Sequence, residues 1–430
     1  MTRKGTTAPL VLGIDFGTSN SAAALLDANG VMHTMALDSA RSEMPTAVFF
    51  GSDPPCQLYG SEAMQAYLQG HDGRLLRSLK SLLGSRLMDE HTAVNDRTIA
   101  FFDIVVLFLK ELKRRSELQL GQPLTHAMLG RPVHFVDDDL ARDDLAQATL
   151  ARAARQAGFT HIAFQMEPIA AALDFEQQIN EKTTALIVDI GGGTSDFTVI
   201  RLHGKNRNAM DRSTDILATA GVHIGGTDFD RLLDLATVMP LLGYKHLGTG
   251  SRPVPNSVFF DLSTWHLIHQ SYTRKAMHFA KELWTDYRDP TLHQRLMSAL
   301  EGQHGHRILT GVEAAKIACS VTGTPAAVAL DFLDVDMAPC VDASAMATTL
   351  ESALTNVVQC ALACVESAGL AKVDTVYLTG GSSALRPLMD AFANAMPRIS
   401  LVQGNLFGSV ATGLAYAGAR HMAQGGRWET

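Results

Sequence analysis

Apolar residues in this chain come in short unbroken runs that stop at aspartate and glycine. The run over 10–14 ends in Asp15-Phe16-Gly17-Thr18-Ser19-Asn20, and residues 21–26 are apolar again, which predicts two strands joined by a glycine-containing turn. Much later, Ala185-Leu186-Ile187-Val188 ends in Asp189-Ile190-Gly191-Gly192-Gly193-Thr194-Ser195-Asp196, followed by a second apolar run over 197–200. The order strand, Asp, Gly, Thr, Ser, strand thus occurs twice. An internal duplication follows, one copy opening each half.

Other periods fill the space around these copies. Residues 40–55 read as polar and irregular. A helix is predicted over 141–157, where Leu145, Ala148, Ala153 and Ala157 alternate with charged residues and Gly158 stops the run. Glu167-Pro168 starts another helix, since proline suits a first turn. A long helix is predicted over 346–368, ended by Gly369, and a strand over 375–379 runs into Gly380-Gly381-Ser382-Ser383 and a helix reaching Ala395. The stretch 231–310 has many His and few clean periods, and reads as an inserted, mostly helical subdomain.

Composition narrows the function. The chain has 430 residues, more than one core usually organises, so two or more lobes are expected. With 46% hydrophobic and 19% charged residues it is globular in type, and its net charge of -8 leaves no footprint for nucleic acid or an anionic membrane. The five cysteines lack zinc-site spacing, which suits a reducing cytoplasm. Arg3 and Lys4 begin like an export signal, but Asp15 and Gly17 break the apolar stretch behind them, and no run approaches the roughly 20 apolar residues of a membrane span. Cys360 with Cys364 reads as small core residues, and His266, His269, His304 and His306 as histidines without a third metal ligand. Lys110 to Arg115 reads as the solvated face of a helix or a docking patch.

An aspartate at a strand end before a Gly-Thr turn puts backbone N–H groups and a hydroxyl where a phosphate can sit, with a carboxylate near enough to hold a cation. Two facing copies form a clamp, and Gly380-Gly381-Ser382, between a strand and a helix, suits the adenosine end of a nucleotide. Gly13 to Ser21 resembles the first phosphate loop of the Hsp70 chaperones, and Val188 to Asp196 their second. Met166-Glu167-Pro168-Ile169-Ala170-Ala171-Ala172, Gly225-Gly226-Thr227-Asp228-Phe229-Asp230 and 376–382 resemble further Hsp70 segments in the same order. The resemblance implies an α/β, actin-like ATPase (ribonuclease H-like) fold with a nucleotide cleft between two lobes. Lobe I would be 1–182 plus 400–425 with an insertion at about 41–124, and lobe II 183–399 with an insertion at about 231–318.

The resemblance also implies roles. Asp15 and Asp189 would hold Mg²⁺ through its waters. Glu167 and Asp196 would order the attacking water and a monovalent cation, K⁺, and Lys80 would be the catalytic lysine. Gly17, Thr18, Ser19, Asn20, Gly191, Gly192, Gly193 and Thr194 would cradle phosphates. Gly225, Gly226, Gly380, Gly381 and Ser382 would line the rest of the ATP/ADP site, and Glu313, Lys316 and Ser320 would clamp adenosine. On spacing alone, Glu313 and Lys316 serve equally as a charge pair on a solvated helix face. Ile317, Ala384 and Phe407 replace two arginines and an aspartate common in the family, although Arg386 lies close to Ala384. The expectation is that no peptide-binding domain follows the last helix, a likeness to the YegD-type Hsp70-like proteins.

The resulting expectation is a cytoplasmic, slowly hydrolysing, Mg²⁺-dependent ATPase that switches conformation and acts on an unknown protein partner or client. A non-hydrolysing nucleotide sensor or co-chaperone, a small-molecule kinase and a filament-former are the alternatives.

Overall fold

The computed structural model describes residues 9–39, 41–95, 97–136, 139–202, 212–248, 251–406 and 408–430. Both predicted hairpins form: Val11–Asp15 pairs antiparallel with Asn20–Leu26, and Thr183–Ile190 with Ser195–Leu202. Around each hairpin a sheet grows in the same order. In the first, Met32–Thr34, Asn20–Leu26, Val11–Asp15, His126–Arg131 and His161–Met166 lie side by side, and the last three run parallel. In the second, Ile216–Val222, Ser195–Leu202, Thr183–Ile190, Thr375–Thr379 and Ser400–Gln403 repeat that arrangement, again with three parallel strands. The duplication read in the loops therefore extends to whole sheets. Ser400–Gln403 belongs to the second sheet, four residues past the boundary expected at 399.

Two helices run between the sheets. Glu167–Phe175 begins with Pro168 in its first turn, and Ser409–Ala423 crosses it so closely that a Cβ on Gly413 would strike the Ala170 carbonyl. Ile169, Ala170, Leu173 and Leu414 are buried with Val11 and Met128 of the first sheet and with Ile187, Ile200 and Tyr377 of the second. This shared, close-packed core joins the two halves. Larger cores lie on the outer face of each sheet.

Several sequence expectations change. The region 40–55 is not irregular: Glu43–Pro45 joins the first sheet, and Ala47–Ser52 is the middle strand of a small sheet with Pro55–Tyr59 and Gly73–Arg77. Ala47, Val48, Phe49 and Phe50 are all buried because both faces of that strand are covered, Phe49 by Ala63 and Ala66, Val48 and Phe50 by the first lobe's core. A strand covered on both sides shows no alternation. The helix predicted over 141–157 forms as Leu140–Gln156, capped by Asp139, but its buried side is Ala146, Leu150 and Ala153, and Leu145 is 52% exposed. Lys110 to Arg115 is not a uniformly solvated face. Arg115 pairs with Glu111 at 2.7 Å and donates to the Leu37 carbonyl at 2.6 Å, tying its helix, Phe101–Leu120, to the preceding loop. The stretch 231–310 does form helices, chiefly Ser257–Leu262, Arg274–Glu282 and Pro290–Glu301, and leads into Gly305–Thr322. No helix among the described residues is long and apolar enough to cross a membrane.

Candidate functional site

The two glycine turns meet where the sheets face each other. In the first, a Cβ on Gly17 would overlap the Asn20 carbonyl, so only glycine permits the tight return of the chain. Thr46 braces this turn: its hydroxyl donates to the Gly17 carbonyl at 2.8 Å, and its backbone N–H donates to Ser19 O at 2.8 Å. In the second turn Gly191 N–H donates to Thr194 O at 2.9 Å, and the Thr194 hydroxyl donates to Asp196 Oδ2 at 3.0 Å. A Cβ on Gly192 would run into the Ser19 hydroxyl, so the loops of the two copies touch, whereas the space beside Gly193 is open.

The remaining glycine segments hold the second loop from behind. Gly226 N–H donates to Gly191 O at 3.0 Å, Thr227 donates to Gly192 O through its N–H and its hydroxyl, and the Ser382 hydroxyl reaches Gly191 O at 3.2 Å. A Cβ on Gly225 would lie 2.7 Å from the backbone of Gly192 and Gly193. Gly380, at a φ of +83°, packs against Asp189 and Ile190. The carbonyls of Gly191 and Gly192 are thus consumed within the protein, an arrangement that leaves a phosphate to the N–H side of the loop.

Charge concentrates beside these loops. Ser78, left-handed at a φ of +57°, turns the chain after Gly73–Arg77 and delivers Lys80 to Glu167, with Nζ 2.7 Å from Oε1 and both side chains largely buried. Glu167 itself packs over Gly130. Burial opposes the Lys80 ammonium, yet Glu167, Asp15 and Asp189 around it hold its pKa above the usual lysine value. Burial and the charge of Glu167 push the Asp15 carboxyl up to about 7, against the pull of Lys80. Burial, then Asp196, Asp15 and Glu167, push Asp189 up to about 8. Three carboxylates around one ammonium, with Asp196 beside Asp189, crowd negative charge into the site, which a divalent cation would offset. Among the described residues no group of three His, Cys, Asp or Glu is placed to hold a metal directly. Asp15 and Asp189 suit a magnesium ion that keeps most of its waters, its usual habit.

The predicted adenosine residues sit on the helix Gly305–Thr322, and Glu313 and Lys316 do not form a solvated pair. Lys316 is buried and pairs instead with Asp230 at 2.7 Å, reaching toward Gly226 O. Ser320 is buried beside them, whereas Ile317 is 53% exposed. Arg386 does not turn back to the Gly-Gly-Ser turn at Ala384. Its guanidinium donates to Ser320 O at 3.2 Å, over Gly323 at the helix end. Phe407 lies outside the described residues.

The other candidates resolve into structure. Cys364 is buried, touches Phe197 O at 3.7 Å, and burial pushes its thiol up to about 11, as expected of a core residue. His266 and His269 are exposed. His306 is buried: Nε2 donates to Trp265 O at 3.1 Å, which leaves Nδ1 to accept from the Tyr67 hydroxyl at 2.7 Å. That bond joins the insertion of the first half to the insertion of the second. Two residues of the site carried no signal of their own: Thr46 and Asp230, of which only Asp230 lay inside a recognisable segment.

A family model described as "Hsp70 protein" matches residues 11–238. A "Chaperone protein HscA homolog" of Aromatoleum aromaticum is 30% identical over 254 residues, 54% of this chain and 38% of that protein. A "Chaperone protein DnaK" of Thermotoga neapolitana is 30% identical over 227 residues, 52% of this chain and 35% of that protein. The matched part of this chain thus spans little more than a third of these relatives.

Proposed function

Given that the chain belongs to the Hsp70 family, we propose that it binds ATP and ADP with Mg²⁺ between its two halves, hydrolyses ATP slowly, and uses the reaction as a conformational switch read by a protein partner. The observation that carries this reading is the Lys80–Glu167 pair at 2.7 Å. A cation from the inserted segment is held against the carboxylates that end both hairpins. Phosphoryl transfer is catalysed mainly by positioning and by neutralising charge, so a cation fixed there has a chemical purpose.

Each residue has a share in the mechanism. The N–H groups of the two glycine turns, with Thr18, Ser19 and Thr194, orient the phosphates. Glu167 and Asp196 accept hydrogen bonds from the attacking water, and Lys80 stabilises charge on the transferring group. Asp15 and Asp189 would hold a magnesium ion, which would supply further neutralisation of the phosphates. Gly225, Gly226, Gly380, Gly381 and Ser382 line the far end, with Glu313, Lys316 and Ser320 beside the ribose. The shared core of Glu167–Phe175 and Ser409–Ala423 couples closure at the phosphates to the outer surfaces, where a partner reads it.

The test is turnover of Mg-ATP by purified protein beside Lys80→Ala, with ADP binding measured for both. The expected result is slow turnover that falls at least about 100-fold in the variant while ADP binding persists. Binding with no turnover in the parent chain would replace the ATPase by a nucleotide sensor, and turnover unchanged by Lys80→Ala would remove the lysine from the mechanism.

A further inference from the structure

Tyr377, in the middle of Thr375–Thr379, belongs to the second sheet, yet its polar end reaches elements of the first half. The side chain is fully buried, with its ring centroid 4.8 Å from that of Phe175. A tyrosine buried this deeply needs partners for its hydroxyl, and two are present. It donates to Asp174 Oδ2 at 3.1 Å and accepts from the Ser409 hydroxyl at 2.9 Å. The chain leaving the neighbouring strand makes room for them, since a Cβ on Gly404 would lie 2.3 Å from the Tyr377 oxygen and 2.7 Å from that of Ser409.

Both partners ride on the central helix pair. Ser409 opens Ser409–Ala423, which lies so close to the first sheet that a Cβ on Gly13 would strike Ala415 N. Asp174 stands near the end of Glu167–Phe175, two turns and about 10 Å along the axis from Glu167, the partner of Lys80. On the other side, Tyr377 is in register with Ile187, and Thr379, at the end of its strand, with Asp189. The Tyr377–Asp174 bond therefore ties the helix that presents one carboxylate of the site to the strand that ends beside another. Thr375 provides a contrast in the same strand: its hydroxyl donates to Ser400 O at 3.0 Å, a bond that stays within the second sheet.

We infer that Tyr377 is a positioning residue whose hydroxyl, through Asp174 and Ser409, fixes the angle at which the two halves present Glu167 and Asp189 to a bound nucleotide. This rests on the nucleotide-binding reading above. A two-turn helix and a paired strand are stiff over this length, so a shift at the bond is carried to their ends at the site. Displacement of reacting groups by about 1 Å slows a reaction by up to about 100-fold, whereas binding spread over several loops loses little.

The experiment compares Tyr377→Phe, which keeps the ring and its packing, and Asp174→Ala, which removes the same bond from the first half, with Thr375→Val, whose lost bond lies within one half. Single-turnover hydrolysis of Mg-ATP, ADP affinity and ligand-free melting are measured for each on the full chain. The distance between the halves is read without nucleotide from nitroxides on the exposed Cys56 and Cys340, one in each half, in a Cys360→Ser background. The expected result is a fall in single turnover of about tenfold in Tyr377→Phe and in Asp174→Ala, with ADP affinity changed less than about threefold and a shifted or broadened distance distribution. Thr375→Val, with a comparable loss of melting temperature, stays within about twofold of the parent in turnover and keeps the parent distribution. An unchanged distribution in Tyr377→Phe overturns the inference, as does a loss of turnover no greater than that in Thr375→Val. A parent chain that binds no ADP or turns over no ATP would instead sink the nucleotide reading, and the nitroxide distances would still decide whether Tyr377 sets the halves.

Discussion

Asp189→Asn separates the electrostatic account of the site from a purely structural one. The carboxyl of Asp189 is pushed from 3.8 up to about 8 by burial and by Asp196, Asp15 and Glu167. In the unfolded chain it releases its proton near the ordinary value, so between these limits the folded protein binds more protons than the unfolded one. Stability must then fall as pH rises through that window and level off above pH 8. A rise from 3.8 to about 8 corresponds to about 5–6 kcal/mol, which structural relaxation and solvent screening reduce to about 3 kcal/mol. Asparagine has nearly the same shape and cannot ionise, so the variant escapes this cost. In a metal chelator it should melt about 6–12 °C above the parent at pH 8.5, at about 2–4 °C per kcal/mol for a lobe of this size. The difference should shrink steadily toward pH 5. Added Mg²⁺ should stabilise the parent at pH 8.5 and affect the variant much less. Melting followed by circular dichroism at both pH values is sufficient. A variant no more stable than the parent at pH 8.5, or a difference independent of pH, would refute the reasoning.

Two further substitutions test the framework that holds the loops. Gly225→Ala puts a Cβ 2.7 Å from the backbone of Gly192 and Gly193, so the second phosphate loop must shift; ADP affinity should fall about tenfold or more at a stability cost of about 1–3 kcal/mol, and unchanged affinity by calorimetry would show that the contact does not set the loop. Gly413→Ala drives a Cβ into the Ala170 carbonyl between the two central helices, and the urea midpoint should drop by an amount equivalent to about 2 kcal/mol or more, whereas an unmoved midpoint would mean that the helices are not close-packed.

Which parts of this site were legible follows from the range over which each signal acts. The hairpins and the glycine turns announce themselves because strand, carboxylate and turn are contiguous, and the repeat doubles the signal. Helix ends marked by Asp139 and Pro168 are local in the same sense. Thr46 is not: it braces Gly17, 29 residues away, from a segment whose strand is hidden by burial on both faces. Leu145 misleads for the opposite reason, since a large apolar residue on a helix of alanines looks like its buried side: Ala153 and Ala157 of the expected face are buried, but Leu145 and Ala148 are exposed and Ala146 and Leu150 face inward in their place. Lys80 has no local mark as a functional residue, and resemblance alone singled it out. Glu313 and Lys316 have the spacing of a surface pair, and only the position of Asp230 shows that Lys316 is turned inward.

The same comparison explains how a duplicated scaffold acquires an asymmetric site. The two sheets repeat strand for strand, and by themselves they supply matched features: a carboxylate at each strand end, a glycine turn beside it, a cradle of N–H groups. A symmetric cradle can hold phosphate, but it offers no fixed cation and no means to distinguish one end of a nucleotide from the other. Part of what breaks the symmetry lies outside the insertions, Glu167 in one half and Asp196, Gly225 and Gly226 in the other, and the rest comes from the insertions. The first insertion gives Lys80 to the carboxylates; the second gives Glu313 and Lys316. Lys80 pairs with Glu167 inside the first half and Lys316 with Asp230 inside the second, so each half sets its own charges, while the Tyr67–His306 bond and the central helix pair set how the halves face each other. On the proposed reading a nucleotide meets two prearranged ends, and a perturbation that opens the insertions should disturb the base end and the phosphate end together, even where it touches neither phosphate loop.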